Sequence, residues 1–334
     1  MSRFLLLTAG LALAGPAFAA GIPVSSDNFA RAESDLYFSG IISRGELGKL
    51  THERALADIA DQTVIRLNRD TLYSSGVFDL DAGPVTITVP DPGKRFLSVQ
   101  IIDEDHYTQG VHYGAGEIEL TRDGIGTRYV AVAIRMLANP ADAADLAQVH
   151  ALQDAVTVAQ AGPGSFAIPD WEKASQDLTR KALLELAALL PDTRGIWDQG
   201  SVVPVRHVIG SASAWGGNPE TEAMYLNRVA PQNDGQTVYR VKVADVPVKG
   251  FWSISVYNAE GYYTPNDLNA YTINNLTATP ATDGSVTVQF GSCDGEVPNC
   301  LPTPAGWNWM VRLYRPEAVV LDGSWVFPEL EALN

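Results

Sequence analysis

The stretch from Gln62 to Leu80, QTVIRLNRDTLYSSGVFDL, constrains the fold of this chain more than any other. Two apolar, β-branched runs flank Asn68-Arg69-Asp70-Thr71, with Tyr73 following directly. Strands are built on alternation and burial, and four consecutive polar residues interrupt both. Those groups must find specific hydrogen-bond partners or face a wet cleft. The stretch therefore predicts a β protein with a candidate site at a strand start.

The surrounding chain agrees. Short β runs are expected at 63–67, 72–80, 85–89, 96–102, 117–121 and 129–136, separated by Ala82-Gly83-Pro84, Asp91-Pro92-Gly93 and Asp123-Gly124. Closely spaced strands with Gly/Pro turns point to a sandwich. An amphipathic helix over 26–42, with Ser26 as its cap, precedes them. A helical run at 141–160 and a second at 170–190 follow, the latter capped by Asp170, with Trp171, Ala174, Leu178, Leu183, Leu186 and Leu190 at helical spacing. From Val203 the chain reads as β again, with strands at 237–243, 250–257, 286–290 and 309–314. This half holds five of the seven tryptophans, which a second sandwich or jelly roll would bury. The 334 residues and 46% apolar content are enough for two cores.

Residues 1–19 carry a basic Arg3, an apolar run from Phe4 and the small-x-small Ala17-Phe18-Ala19, the pattern of a cleaved signal peptide. The run is too short to span a membrane, and no later segment is long enough, so the mature product is expected to be soluble and periplasmic or secreted, with no transmembrane segment. The division that follows is signal peptide 1–19, β domain 20–138 with its leading helix, helical connector 139–200 and β domain 201–334. A formal charge of −16 and a pI near 4.6 argue against nucleic acid and anionic membrane surfaces. In an exported protein, Cys293 and Cys300 around Asp294-Gly295-Glu296 read as one local disulfide. The rival two-thiolate metal site lacks zinc-like spacing.

Several clusters carry candidate chemistry. Arg69, Asp70 and Tyr73, with Asn68 and Thr71, can bind a carboxylate or sugar hydroxyls or polarise a carbonyl; equally, they can tie down a turn among themselves. Asp103-Glu104-Asp105-His106-Tyr107 and the nearby His112 offer carboxylate–imidazole pairs for acid–base work, a weak divalent-metal set in Asp103, Asp105 and His112, or a charged strand end entering solvent. His207 with Trp215, Asn218 and Glu220 is a small-ligand platform or a turn anchored by an indole. Tyr257, Asn266, Asn269 and Tyr271 suit a glycan surface or an Asn-rich turn. No G-x-S-x-G, P-loop, G-x-G-x-x-G or H-E-x-x-H occurs, and no cofactor is expected.

The segment VIRLNRDTLYSSGVFDLDAGPVTITVPDPGKRFLSVQIIDEDHY resembles domain of unknown function 1254. WGGNPE, GFWSISVYNAEGYYTPNDLNAYTINN, DGSVTVQF, NWMVRLYRP and LDGSWVFP resemble domain of unknown function 1214, so the likeness runs from about Phe29 to Pro328. The resemblance implies a mainly β fold: an N-terminal immunoglobulin-like sandwich and a C-terminal jelly-roll-like sandwich joined by a helical segment. Asn68, Asp70, Thr71, Tyr73, Trp215, Gly216, Gly217, Trp252, Tyr257, Asn269 and Arg312 match its motifs, none with an assigned role. The Cys293–Cys300 loop and the acidic Asp103 to Asp105 stretch depart from its broader pattern.

Two functions follow. One is an exported hydrolase or lyase acting on a small polar or carbonyl substrate between the domains. Arg69 would anchor it, Tyr73 orient it, and His106 or His112 with Asp103 or Asp105 move the proton. The other is a non-catalytic envelope protein binding a glycan or small ligand. The enzyme requires Arg69, Tyr73 and the Asp103 to His112 segment in one closed pocket; the binder requires an open aromatic face.

Overall fold

A computed structural model describes residues 21–62 and 64–333. The signal-peptide segment lies outside the described residues, as does Thr63. The fold is mainly β: two sandwiches joined by a helical segment.

The first sandwich pairs strands β1 (Thr51–His52), β2 (Thr71–Asp79), β3 (Val85–Val89), β4 (Leu97–Asp103), β5 (Thr108–Tyr113), β6 (Gly116–Leu120), β7 (Tyr129–Leu137) and β8 (Thr157–Ala159) into two sheets, β1-β2-β7-β4-β5 over β6-β3-β8. Between β6 and β7 lies the single turn α2 (Arg122–Ile125). β3 alternates as its sequence requires, with Val85, Ile87 and Val89 facing Leu72, Phe78, Val99 and Val132 in the core. β4 is buried on both faces, because its outer face is covered by the helix carrying Phe38 and by the loop Trp215 to Gly217.

Helices α1 (Phe29–Arg44), α3 (Ala143–Ala155), α4 (Lys173–Ala187) and α5 (Pro204–Ser213) supply the rest of this half. α1, α4 and α5 share a small core of Phe29, Ala32, Leu183 and Ile209. Side-chain capping is absent at α1 and α4, so neither Ser26 nor Asp170 caps as expected; the caps are Asn28 and Glu172. α4 also turns a different face inward. Gln176 and Leu183 are buried, whereas Leu178 and Leu186 face solvent at 70% and 48% exposure. The reason is polar: Glu33 of α1 is buried and accepts from Gln176 Nε2 at 3.0 Å and Arg180 Nη2 at 2.6 Å, and this pairing sets the rotation of α4. The helical run expected at 141–160 ends in strand β8, which completes the second sheet on β3. α5 replaces the β structure expected from Val203. Pro204 at its first turn costs no hydrogen bond, and Gly210 lets it close onto Ile196, where a Cβ would stand 2.2 Å from Ile196 Cγ2.

The second sandwich packs β12-β11-β15-β9 against β14-β13-β10-β16. In chain order these are β9 (Ala223–Val229), β10 (Tyr239–Val243), β11 (Trp252–Tyr257), β12 (Thr272–Asn274), β13 (Val286–Phe290), β14 (Cys300–Leu301), β15 (Asn308–Tyr314) and β16 (Glu331–Ala332), with the turn α6 (Ala318–Leu321) before β16. Trp252, Trp307 and Trp309 fill the core between the sheets. Cys293 and Cys300 are disulfide-bonded. Among the described residues no helix is long and apolar enough to cross a membrane.

The strand expected at 63–67 does not form over its described residues. Arg66 takes a left-handed φ of 51°, and the segment spends its backbone on the second sandwich. Arg66 N–H donates to Gly261 O at 2.7 Å, and Leu67 O accepts from Tyr257 and Tyr263 hydroxyls at 3.0 and 2.9 Å. It is a strap between the halves.

Candidate functional site

The outer face of the first five-stranded sheet meets the polar face of β11, β12 and β15, and the Asn68 to Tyr73 cluster lies in that seam. Asn68 Oδ1 accepts the Asp70 N–H at 2.8 Å, closing a turn. Its Nδ2 reaches Thr71 Oγ1, Tyr73 Oη and Tyr314 Oη at 3.2, 3.0 and 3.2 Å, so two protons serve three oxygens across both halves. Asp70 is fully buried; its Oδ1 accepts from Thr272 Oγ1 at 2.9 Å and Asn274 Nδ2 at 3.0 Å, and its Oδ2 has no partner among the described residues. Buried Arg312 donates to Tyr257 Oη and Arg66 O, both at 2.7 Å, and to Ser255 Oγ at 2.9 Å. Arg69 lies over the Tyr271 ring at 5.3 Å and makes no ion pair with Asp70. The cluster acts as a buried staple.

The second cluster is elsewhere. Asp103 pairs with Val130 and Thr71 with Leu137, so the two clusters are separated by seven residues of β7, roughly 23 Å at the rise of a strand. The expected common recess of Arg69, Asp70 and Tyr73 with Asp103, Asp105, His106 and His112 is not formed. A single sheet holds both groups: Asp103, Asp105 and His106 at the end opposite Asp70, and His112 in the row next to Tyr73 but on the other face.

Each member of that second cluster has a structural partner or faces solvent. Asp103 Oδ1 accepts the N–H groups of Asp105 and Tyr107, and its Oδ2 accepts from Gln109. Burial nonetheless pushes its carboxyl up to about 6. Asp105 pairs with Arg31 at 2.7 Å. His106 is fully buried, with φ 68°. Its Nε2 accepts the Gly216 N–H at 3.0 Å, which puts its proton on Nδ1, facing Ser211 Oγ at 2.9 Å; Ser211 Oγ donates onward to His207 O. Burial, with His207 beside it, holds the His106 imidazole well below its ordinary pKa. His112 is exposed on β5 opposite Val99, on the face turned away from the seam. Asp103, Asp105 and His112 are not brought together.

The remaining candidates make no open aromatic face. His207 directs its ring nitrogens at Ile196 O and Asp105 O, 2.7 and 2.9 Å away. Trp215 stacks on Tyr37 at 4.3 Å and on His106 at 5.6 Å, joining α1 to α5. Asn218 donates to Tyr225 Oη, and Glu220 accepts from Gly195 N–H. Tyr257 and Tyr271 are buried with Tyr263. Asn266 bonds Ala270 N–H and O across its own turn, and Asn269 is an exposed left-handed residue with φ 51°.

Sequence reasoning passed over the cleft that the two sandwiches leave open. Tyr73, Arg135, Ser98 and Tyr113 form one row across the outer face of the first sheet. At the inner end, buried Arg135 donates to Gln100 Oε1 at 2.7 Å and to Gly216 O at 2.8 Å. At the outer end, Tyr113 Oη donates to Glu222 Oε2 at 2.7 Å, and the Arg315 guanidinium sits 4.2 Å from the Tyr113 ring centroid. Phe96 packs on Phe251 and Tyr314 at 4.9 and 5.3 Å, closing the floor. Above it lies a cleft of about 340 Å³, lined by Lys94, Arg95, Phe96, Tyr113, Lys249 and Arg315 together with turn and backbone positions. Arg95 is committed to Asp145, but Lys94, Lys249 and Arg315 have no carboxylate within 4.0 Å among the described residues. The available signal was Lys94 and Lys249 flanked by turn glycines, and Arg315 before Pro316, in a strongly acidic chain.

Family profiles described as Protein of unknown function (DUF1254) and Protein of unknown function (DUF1214) match residues 47–123 and 223–318, in tandem. The crystal structure of the VPA0106 protein from Vibrio parahaemolyticus is similar with a TM-score of 0.71 at 17% identity, covering 92% of this chain and 98% of that one. An uncharacterized protein from Burkholderia cenocepacia is similar with a TM-score of 0.51 at 13% identity, over 92% of this chain and 86% of the other. No curated protein matches the chain. These likenesses establish the fold.

Proposed function

This chain belongs to the family that carries DUF1254 ahead of DUF1214, and we propose that it is an exported, non-catalytic binding protein holding a small polar ligand between its two β-sandwiches. One observation carries this reading: the cleft between the sandwiches is walled by residues of both and has a volume suited to a small molecule. Its lining has no imidazole or carboxylate to take a proton, and Tyr113 is kept a phenol by burial and by its bond to Glu222. Arg69, Asp70 and Tyr73 sit in the interdomain staple, Asp103, Asp105 and His106 in a turn at the far end of the sheet, and His112 is exposed on its other face, a separation that favours binding over turnover. Export is supported by the basic, apolar and small-residue order of 1–19 and by the disulfide.

A thermal-shift screen of the mature protein against small polar metabolites and short glycans tests the reading. We expect a saturable rise in Tm with at least one compound, and no consumption of that compound on long incubation. A flat screen, or product appearing in the incubation, rejects it. Mass measurement of the protein recovered from the producing cell should place its first residue at Ala20.

A further inference from the structure

Resting on that reading, we infer that the interdomain cleft takes a small organic oxyanion, a carboxylate or phosphate ester, gripped at its charged end by Arg315, Lys249 and Lys94. The first argument is charge. The whole chain has a formal charge of −16, with 39 acidic against 23 basic side chains. Yet this cleft is lined by Lys94, Lys249 and Arg315, none with a carboxylate within 4.0 Å among the described residues, while Arg95 is neutralised by Asp145 and the Glu222 carboxylate is held by the Tyr113 hydroxyl. In a cleft with low-dielectric walls, like charges that are not neutralised in place raise the local concentration of an anion and stabilise it once bound.

The second argument is construction. Arg315 has a left-handed φ of 54°, a conformation that costs free energy for a residue with a Cβ and persists where the surroundings enforce it. Its N–H donates to Glu222 O at 2.8 Å, and its carbonyl accepts the Lys249 N–H at 2.9 Å. The backbone pair thus fixes both cations on one rim. Gly250 makes the approach possible, since a Cβ there would stand 2.6 Å from Tyr314 O. The Arg315 guanidinium lies over the Tyr113 ring, which orients it without neutralising it. Lys94 comes from the turn of the other sandwich, after Gly93 with φ 61°, so the anion would bridge the two halves. Phe96 and Tyr113 offer an apolar wall for the rest of the molecule.

Calorimetric titration of the full mature chain at low salt with glucuronate, glucose 6-phosphate and glucose tests this. The two anionic sugars separate carboxylate from phosphate recognition, and glucose is the neutral control. At least one anion should bind, with glucose giving no heat. Arg315→Asn keeps the left-handed backbone, and Lys249→Met removes a charge on the exposed rim. Each should weaken the anion about 10-fold or more, and added salt should weaken the unaltered protein in the same direction. Both variants should keep the parent Tm within a few degrees, which separates lost recognition from lost fold. If glucose binds as tightly as either anion, if neither anion gives heat, or if the two variants titrate like the parent, the oxyanion assignment fails. The binding reading then stands or falls separately, on whether a neutral compound raises Tm.

Discussion

Asp70 has one carboxylate oxygen bonded twice and the other without a partner among the described residues, and it has no exposed surface. Removing the side chain strands the Asn274 amide, while the Thr272 hydroxyl can fall back on Ile254 O at 3.2 Å, and a buried donor left unpaired costs about 1–3 kcal/mol. Asp70→Ala should therefore lower the denaturant midpoint by that amount with the m-value unchanged. A neutral result would mean that the seam is wetter than its geometry. Asp35 on α1 gives a pH test. Its Oδ2 accepts the Trp171 Nε1–H at 2.7 Å, its Oδ1 has no partner among the described residues, and burial raises its carboxyl from 3.8 to about 6. A folded pKa above the unfolded one favours folding at low pH, and that contribution is lost as pH rises through about 6. Relative to the parent, Asp35→Asn should thus gain about 1–1.5 kcal/mol between pH ~5 and ~8. A gain that is flat with pH, read from urea melts at both values, would refute the assignment. His106 acts with the opposite sign: its depressed pKa gives stability above the usual histidine range that is lost on acidification.

At the scale of elements, strands whose apolar residues alternate are legible in the chain, and helices whose inner faces are polar are not. The ranges expected for β3 and β13 coincide with the observed strands, because Val85, Ile87 and Val89 or Val286, Val288 and Phe290 have one side on which to be buried. In α4 leucine spacing marks Leu183 as buried but not which neighbours share its face, because the Glu33–Arg180–Gln176 contact fixes the rotation and turns Leu178 outward. α5 is not legible in the sequence, because β-branched residues around Pro204 lean toward strand, a preference overridden by packing on α1 and α4. The Cys293–Cys300 link closes a short loop beside β14, and the chain-entropy relation assigns it about 2 kcal/mol. Reduction should lower Tm by several degrees while leaving the far-UV spectrum of the folded state unchanged; loss of the second sandwich's β signal at ambient temperature would mean that the link holds up far more than its loop.

At the scale of the whole molecule, the two sandwiches are joined by both greasy and polar contacts. Phe251 is fully buried between Phe96 and Tyr314, and the Leu67 strap with Arg312 adds hydrogen bonds across the same seam. The halves should unfold as one. Every tryptophan lies outside 52–170, so indole fluorescence reports the helices and second sandwich, while far-UV circular dichroism reports both. The two melts should coincide in the parent, the test of two-state unfolding. Phe251→Ala removes the central ring of the seam, at a cost of about 3 kcal/mol or more, and should pull the melts apart. Separate melts in the parent would show the seam to be weak.

The sequence by itself determined two β-sandwiches, the disulfide, the family, and the importance of Asn68 to Tyr73, because each rests on local periodicity, close spacing or an unbroken motif. Tertiary structure alone decided what those polar residues do, since a buried carboxylate and a catalytic one look alike until their partners across 200 residues of chain are known. It also decided where the open space lies. Lys94, Lys249 and Arg315 share no motif, and only the docking of one sheet's outer face on the other brings them to one cleft.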